Sequence, residues 1–244
     1  RLINLPLIVY WMIVADFRDI KKLIEEVLLD LGNNKSLTDV SSKIQIIVRL
    51  LGDEKLKSWY TCEFVTGYKD QELPDYRKSR AVEIKANYIV PQGFGAWKLS
   101  GQSVPVANLG LEKYKEIMTV RFCDTISAII EYSKHPKDVA MSLSPYEQAL
   151  VQEVLGEAHI QNVHKVLSPS TFQTIIDNVQ GRIIDMFMDL NERIFNGELD
   201  LKSDSAKKEI HQVITNNITA GIVQTGSGTI EANNATIAAK IEQS

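Results

Sequence analysis

The stretch LSPSTFQTIIDNVQGRIIDMFMDLNERI, residues 167–194, decides the fold class. Ser168, Pro169 and Ser170 predict a helix start, because serine caps free backbone N–H groups and proline fits the first helical turn. Apolar residues then recur at steps of three and four, the period of one helix face. They are Phe172, Ile175, Ile176, Val179, Ile183, Ile184, Phe187, Met188 and Leu190. We predict one long amphipathic helix that ends at about Phe195.

The charged residues of this helix fall between the apolar ones. We expect Arg182 to pair with Asp185 or Asp189 on the outer face, where such a pair contributes only about 0.2–0.5 kcal/mol. Each buried large apolar side chain contributes far more, about 1.5–3 kcal/mol. The regularity of the helix therefore predicts the central packing element of a domain and requires no catalytic role.

Three shorter amphipathic helices are predicted upstream, between residues 16 and 67. Each has a single apolar stripe, and the three end at Gly32, Gly52 and Gly67. Ser36 is the expected N-cap of the second helix, and Asp53 or Glu54 opens the third. Short polar turns between such helices are typical of a helical bundle.

The region at about 69–110 has a different pattern. Residues 82–90 alternate between apolar and polar, which predicts a strand, and the glycines and prolines of 91–110 favour irregular loops or short strands. Helices return at about 112–133 and after Ser144-Pro145, an N-cap and N1 pair. The stretch GEAHIQNVHKV, residues 156–166, fits a helix or a strand equally well.

Both ends of the chain differ in composition from the rest. Residues 197–211 are a polar connector, and residues 212–244 are rich in Thr, Asn, Gly and Ile with close turn signals, which favours short strands. So short a β tail cannot form a core alone; we favour pairing between chains over docking on the helical domain or disorder. Residues 1–15 are an apolar extension, interpreted as a buried element, an upstream segment foreign to the natural protein, or a membrane-directing segment.

The predicted fold class is thus mainly α within the α+β class. A helical domain at 16–196 contains the β and loop insertion, and the linker and β tail follow it.

The composition excludes some functions and favours others. The chain has 244 residues and a net charge of −4, too mild for the basic footprint of a nucleic-acid-binding domain. Cys62 and Cys123 lie in no ligand-spaced set, which points to a reducing, cytoplasmic location. His159 and His164 are five apart, unlike the spacing that holds zinc on a helix. We find no catalytic constellation and expect no metal and no cofactor.

Aromatic and basic residues alternate between Tyr76 and Trp97. Stacking aromatics with interleaved cations hold single-stranded nucleic acid without reading its sequence. The competing interpretation is that the aromatics form core and the cations surround them, and it is the stronger one. The candidate binding residues are Tyr76, Arg77, Arg80, Lys85, Tyr88, Phe94 and Trp97.

Three stretches together resemble the AbiTii domain, a bacterial family named for a component of phage abortive infection. They are the helices and ELPDYR turn of residues 24–77, the long helix at 167–194, and residues 210–234. The matching positions are Leu51-Gly52-Asp53, Leu56, Trp59, Leu73-Pro74-Asp75-Tyr76-Arg77, Ile175-Ile176-Asp177-Asn178-Val179, Arg182-Ile183-Ile184-Asp185 and Phe187. Gln180 stands where the family pattern has Arg, and the segment before Asp16 has no counterpart. The resemblance covers about residues 20–240 and brings no catalytic residues with it.

The resemblance implies a role in defence against phage. We predict a non-enzymatic interaction protein that forms a homo-oligomer through the C-terminal tail and has a phage or host protein as partner. One alternative is a nucleic-acid or nucleotide sensor that uses the Tyr76–Trp97 region. Another is a membrane-acting toxin that uses residues 1–15, although we expect no membrane partner.

Overall fold

A computed structural model describes residues 17–69, 71–195 and 203–219. The predicted N-terminal extension at 1–15 lies outside this range, as do residues 220–244 of the predicted β tail. The chain divides into two compact units, one formed by residues up to 65 together with those from 178 onward, the other by residues 66–177. The β-rich region extends well beyond the predicted insertion at 69–110.

Helices are the only regular secondary structure in the described parts of the first unit. It contains α1 (Phe17–Gly32), α2 (Leu37–Leu51) and α3 (Glu54–Tyr60), which continues as a π-helical turn (Thr61–Thr66). The three predicted helices are confirmed. Ser36 and Asp39 close a capping box at the start of α2, and the Asp53 side chain caps α3 by accepting from the Leu56 N–H at 2.9 Å. These caps satisfy N–H groups that a helix start otherwise leaves without partners.

The quoted stretch forms α7 (Pro169–Leu190) and ends in a π-helical turn (Asn191–Phe195), as predicted. Seven of the nine predicted stripe residues are buried, whereas Ile184 is half-buried and Met188 is 45% exposed. Met186 takes the buried position instead. The buried face thus steps through 179, 183, 186, 187 and 190, the 3.6-residue period of the helix.

Arg182 corrects the expectation of a surface ion pair. It is 5% exposed, and its Nη1 donates to the carbonyl oxygens of Asn217 and Ile218 at 2.6 and 3.0 Å. These carbonyls belong to the last turn of α8 (Asp204–Thr219), where helical carbonyls lack intrahelical partners. Asp189 instead accepts from the Asn217 side-chain amide at 2.9 Å.

Helix α8 also corrects the prediction of a linker followed by a β tail. Residues 204–219 are helical, and Ala206, Ile210, Val213 and Ile214 are buried on one face. Packing of this face and the Arg182 cap outweigh the weak helix propensity of the Thr and Asn residues.

The second unit contains two antiparallel sheets. The larger has the strand order β3-β2-β6-β5, and the smaller pairs β1 with β4. The strands are β1 (Lys78–Arg80), β2 (Glu83–Gln92), β3 (Gly95–Ser103), β4 (Thr119–Arg121), β5 (Val139–Ser142) and β6 (His159–Leu167). The predicted strand at 82–90 is confirmed as β2, and the ambiguous stretch at 156–166 becomes β6. Residues 95–103, where irregular loops or short strands were predicted, form one nine-residue strand whose pairing with β2 has a register shift between Ala86 and Tyr88.

The remaining helices of this unit are α4 (Leu111–Met118), α5 (Ile126–Ser133) and α6 (Pro145–Leu155). The single helix predicted at 112–133 is wrong, because β4 interrupts it and pairs with β1. The predicted Ser144-Pro145 start of α6 is confirmed: Ser144 and Glu147 form a capping box, with proline in the first turn.

Candidate binding surface on the β2–β3 hairpin

Strands β2 and β3 form a hairpin that is closed by a two-residue turn. Gln92 pairs with Gly95, and Gly93 occupies the first turn position with a φ of +53°. Turns of this length need a positive φ there, which glycine adopts without strain. The turn places Phe94 at the tip of the hairpin.

The outer half of the hairpin exposes an apolar face. Tyr88 lies opposite Leu99 and Val90 opposite Trp97, so the four side chains share one side of the sheet. Trp97 is 66% exposed and Phe94 is exposed completely. Strand β3 lies at the edge of its sheet, and only Leu99 among its residues is even partly covered. A long exposed edge strand with apolar side chains is a site where another protein chain can add.

The predicted binding residue Arg77 has a structural role instead. It is completely buried, its Nη1 donates to the Asp124 carbonyl oxygen at 3.0 Å, and its guanidinium lies 5.6 Å from the Tyr68 ring centroid. Tyr76 hydroxyl contacts the Tyr68 hydroxyl at 3.3 Å. Arg77 therefore holds together the short 3₁₀ helix Asp75–Arg77 and the segment before α5, and it does not reach the surface.

The remaining predicted residues separate into two groups. Arg80 lies in β1 with its guanidinium over the Tyr114 ring, and Lys85 makes an ion pair with Glu83 at 2.9 Å. The hydrogen bond from Lys85 is the main reason that the pKa of the Glu83 carboxyl lies below its ordinary value. Tyr88, Phe94 and Trp97 lie in the outer half of the hairpin, and Lys85 lies in its inner half.

A second surface feature was missed by sequence reasoning. A groove of about 510 Å³ runs between α6 and β6, and it is lined by Ser142, Gln148, Ala149, Gln152, Ile160, Gln161, Asn162 and Val163. The Gln148 amide donates to the Leu143 carbonyl, and the Gln152 amide donates to the carbonyls of Gly156 and Ala158. These residues come together only because α6 packs beside β6, so no sequence spacing could have revealed the groove.

A buried ion pair fixes the other side of α6 on the sheet. Lys165 in β6 is 3% exposed, and its Nζ donates to Glu147 at 2.5 Å and to the Thr119 carbonyl at 2.8 Å. Burial raises the pKa of the Glu147 carboxyl, but hydrogen bonds from Lys165 and Ser144 outweigh burial, and the pKa lies below its ordinary value. This pair joins the capping box of α6 to β6 and β4, which is a role in the fold.

Across the described residues, no group of three His, Cys, Asp or Glu side chains is placed to hold a metal ion. Over the same part of the chain, none of the helices has both the length and the apolar character to cross a bilayer.

Comparison with known proteins gives one match. The model of the AbiTii family matches residues 22–215, which is most of the chain and includes all of both sheets. Neither a curated protein nor a solved structure matches the chain significantly. The resemblance seen in the sequence is thereby confirmed.

Proposed function

Because the chain belongs to the AbiTii family, we propose that it acts in abortive-infection defence against phage, and that it does so by binding proteins rather than by catalysis. The family supports the defence role. The binding role is supported by one observation above all, the exposed aromatic face and tip of the β2–β3 hairpin.

Phe94 and Trp97 have the properties of interface anchors. Large aromatic side chains dominate binding energy where they enter a pocket of the partner, and tryptophan is the most enriched of them. Neither side chain is needed by the fold, since both are largely exposed. The expected partner is a phage or host protein with an apolar pocket beside an open strand edge.

The nucleic-acid alternative loses support from the same geometry. Arg77 is buried, Arg80 covers an aromatic ring, and Lys85 is paired with a carboxylate. Of the basic residues on the hairpin, Lys98 alone is a sequence neighbour of Trp97, and it lies on the opposite side of the sheet from the Trp97 side chain. One cation is too few for the phosphate contacts on which such binding depends.

Self-association is a further part of this proposal. We keep the prediction that the C-terminal tail, predicted at 212–244, mediates it, and we now place that role in residues 220–244, because these are rich in strand-forming residues and follow α8 directly. A test of the membrane alternative is the removal of residues 1–15, which we expect to leave phage protection unchanged.

Plaque counts on bacteria that express the chain test the proposed function. The double variant Phe94→Ser, Trp97→Ser should lose protection, since removal of one anchor weakens binding by about 30-fold at about 2 kcal/mol per hot spot. Leu111→Ser is the matched control, because Leu111 is 67% exposed and lies outside the hairpin. Full protection by the double variant, at equal protein level and melting temperature, would contradict the role of the hairpin. Loss of protection in the Leu111 variant would show that exposed apolar surface in general is needed.

A further inference from the structure

Strand β6 is longer than the neighbour that covers one of its edges. On the β2 side, pairing extends along β6 from Val166 to His159. On the β5 side, pairing covers only residues 164–167, because β5 ends at Ser142. Among the described residues, no strand pairs with 159–163 on that side. Backbone N–H and C=O groups along this edge therefore face the groove beside α6.

The groove has the form of a slot for one extended strand. One wall is the open edge of β6, and the other is the flank of α6 that carries Gln148, Ala149 and Gln152. The Gln148 and Gln152 amides are held by backbone carbonyls, so this wall is preformed. Peptides that add to a sheet edge beside a helix use backbone hydrogen bonds for affinity and side-chain pockets for selectivity.

The lining selects for an uncharged peptide. None of the eight lining residues is charged, and five of them carry a side-chain amide or hydroxyl. A charged side chain brought against such a wall would lose hydration without gaining an ion pair. The five open residues of β6, 159–163, span about 17 Å, so the occupant needs four or five residues in extended form.

We propose that this groove binds residues 220–230 of a second copy of the chain. This segment, AGIVQTGSGTI, has no charged residue, and Ile222, Val223 and Thr225 are strong strand formers. It directly follows α8, whose last turn is anchored by Arg182. The chain continues for 25 residues beyond Thr219, long enough in extended form to reach about 80 Å.

The inference rests on the proposed function, of which self-association is a part. It identifies the surface that accepts the tail. A strand donated by one copy pairs with the part of β6 that β5 leaves open in the next copy. Donor and acceptor are different surfaces, so the contact is of the heterologous kind.

The test is the solution mass of the full chain by light scattering, with the variant Ala149→Arg. Ala149 is exposed on the groove wall, and arginine is a good helix former, so the variant should fold and fill the slot. We expect an oligomer for the natural sequence and the single-chain mass of 27.4 kDa for the variant. Ala96→Arg is the matched control, the same change at an exposed site on β3, and should leave the oligomer intact. Ile222→Lys should dissociate it as Ala149→Arg does.

Hydrogen exchange of the same proteins locates the contact. The groove-facing amides of 159–163, those whose N–H points away from β2, should exchange at least about tenfold more slowly in the oligomer than in the Ala149→Arg variant, because strand pairing protects them. An oligomer that survives Ala149→Arg would overturn the groove, even if Ile222→Lys dissociates it. Dissociation of the oligomer by Ala96→Arg would assign the contact between copies to β3, and this would also overturn the groove assignment.

The same experiments distinguish an empty groove from a failure of the proposed function. A monomeric natural chain with unprotected groove-facing amides would overturn the groove and self-association, while plaque counts decide the defence role independently. A monomer whose groove-facing amides are protected until Ala149 is changed to Arg would place the chain's own tail in the groove and overturn the second-copy assignment.

Discussion

At the scale of single residues, Gly67 is the described glycine at which an added Cβ meets the closest contact. Its φ is +73°, and a Cβ there would lie 2.3 Å from the Cys123 carbonyl oxygen. The same oxygen accepts the Tyr68 N–H at 2.7 Å, so it cannot move aside without loss of that bond. The turn after the α3 segment thus depends on the missing side chain.

We predict that Gly67→Ala lowers the free energy of unfolding by about 3–4 kcal/mol, since the backbone strain and the clash add. Urea denaturation followed by circular dichroism measures it. Gly52→Ala is the control, because Gly52 has a φ of +67° but no atom within 4 Å of the added Cβ. It should cost only about 1 kcal/mol. Equal losses of unfolding free energy in the two variants would mean that the contact with the Cys123 carbonyl oxygen does not destabilise the protein.

At the scale of secondary-structure elements, the buried side chains of Lys165 and Arg182 each join a helix to a neighbouring element. Glu147 and Lys165 join α6 to the larger sheet. Arg182 joins α7 to the end of α8. In both cases a buried charge is stable only because its partners are present.

Glu147→Gln should destabilise the protein by about 3 kcal/mol at neutral pH, because it leaves the Lys165 ammonium buried without a counter-charge. The pKa of Glu147 is lowered from its ordinary 4.5, so its contribution is present above that pH and is lost as the pH falls through the folded-state pKa. The difference in unfolding free energy between the natural chain and the variant should therefore be constant above about pH 5 and shrink below pH 4.5. A difference that does not depend on pH would refute this. The double variant Glu147→Gln, Lys165→Met should recover most of the loss.

Arg182→Met should retain the packing of the side-chain stem but lose both hydrogen bonds to α8, at about 2 kcal/mol. The variant should exchange its 213–219 amides faster than the natural chain does, whereas exchange elsewhere should change little, since only the last turn of α8 loses its cap. Arg193→Met is the control: Arg193 lies on the turn after α7 and contacts Asp189 at 3.5 Å, but it is largely exposed. A variant of Arg182 in which 213–219 exchange at the natural rate would disprove the cap.

At the scale of the whole molecule, local signals predicted most elements and tertiary contacts determined the rest. Ser36, Ser144-Pro145 and the apolar stripe of α7 are local signals, and each is found where predicted. Strand β3 was predicted only as one of two options, loop or short strand, because its residues have little strand preference. It forms through the turn at Gly93 and pairing with β2. The helix at 204–219 was missed because the cap from Arg182 lies far away in sequence.

The candidate site shows the same division. The exposed aromatics of the hairpin were among the predicted binding residues, because Phe94 and Trp97 stand out by type. Arg77 was included with them because its sequence position does not reveal burial. The open edge of β6 depends on where β5 ends, and strand ends are set by pairing rather than by composition.

The anchoring of α8 has a mechanical consequence. Tension on residue 220 enters the fold at the last turn of α8, where Arg182 holds two carbonyl oxygens and Asp189 holds the Asn217 amide. These bonds transmit the force to α7, so the last turn of α8 resists unfolding from its C-terminal end. Force applied to the tail is therefore transmitted first to α7, the longest helix among the described residues.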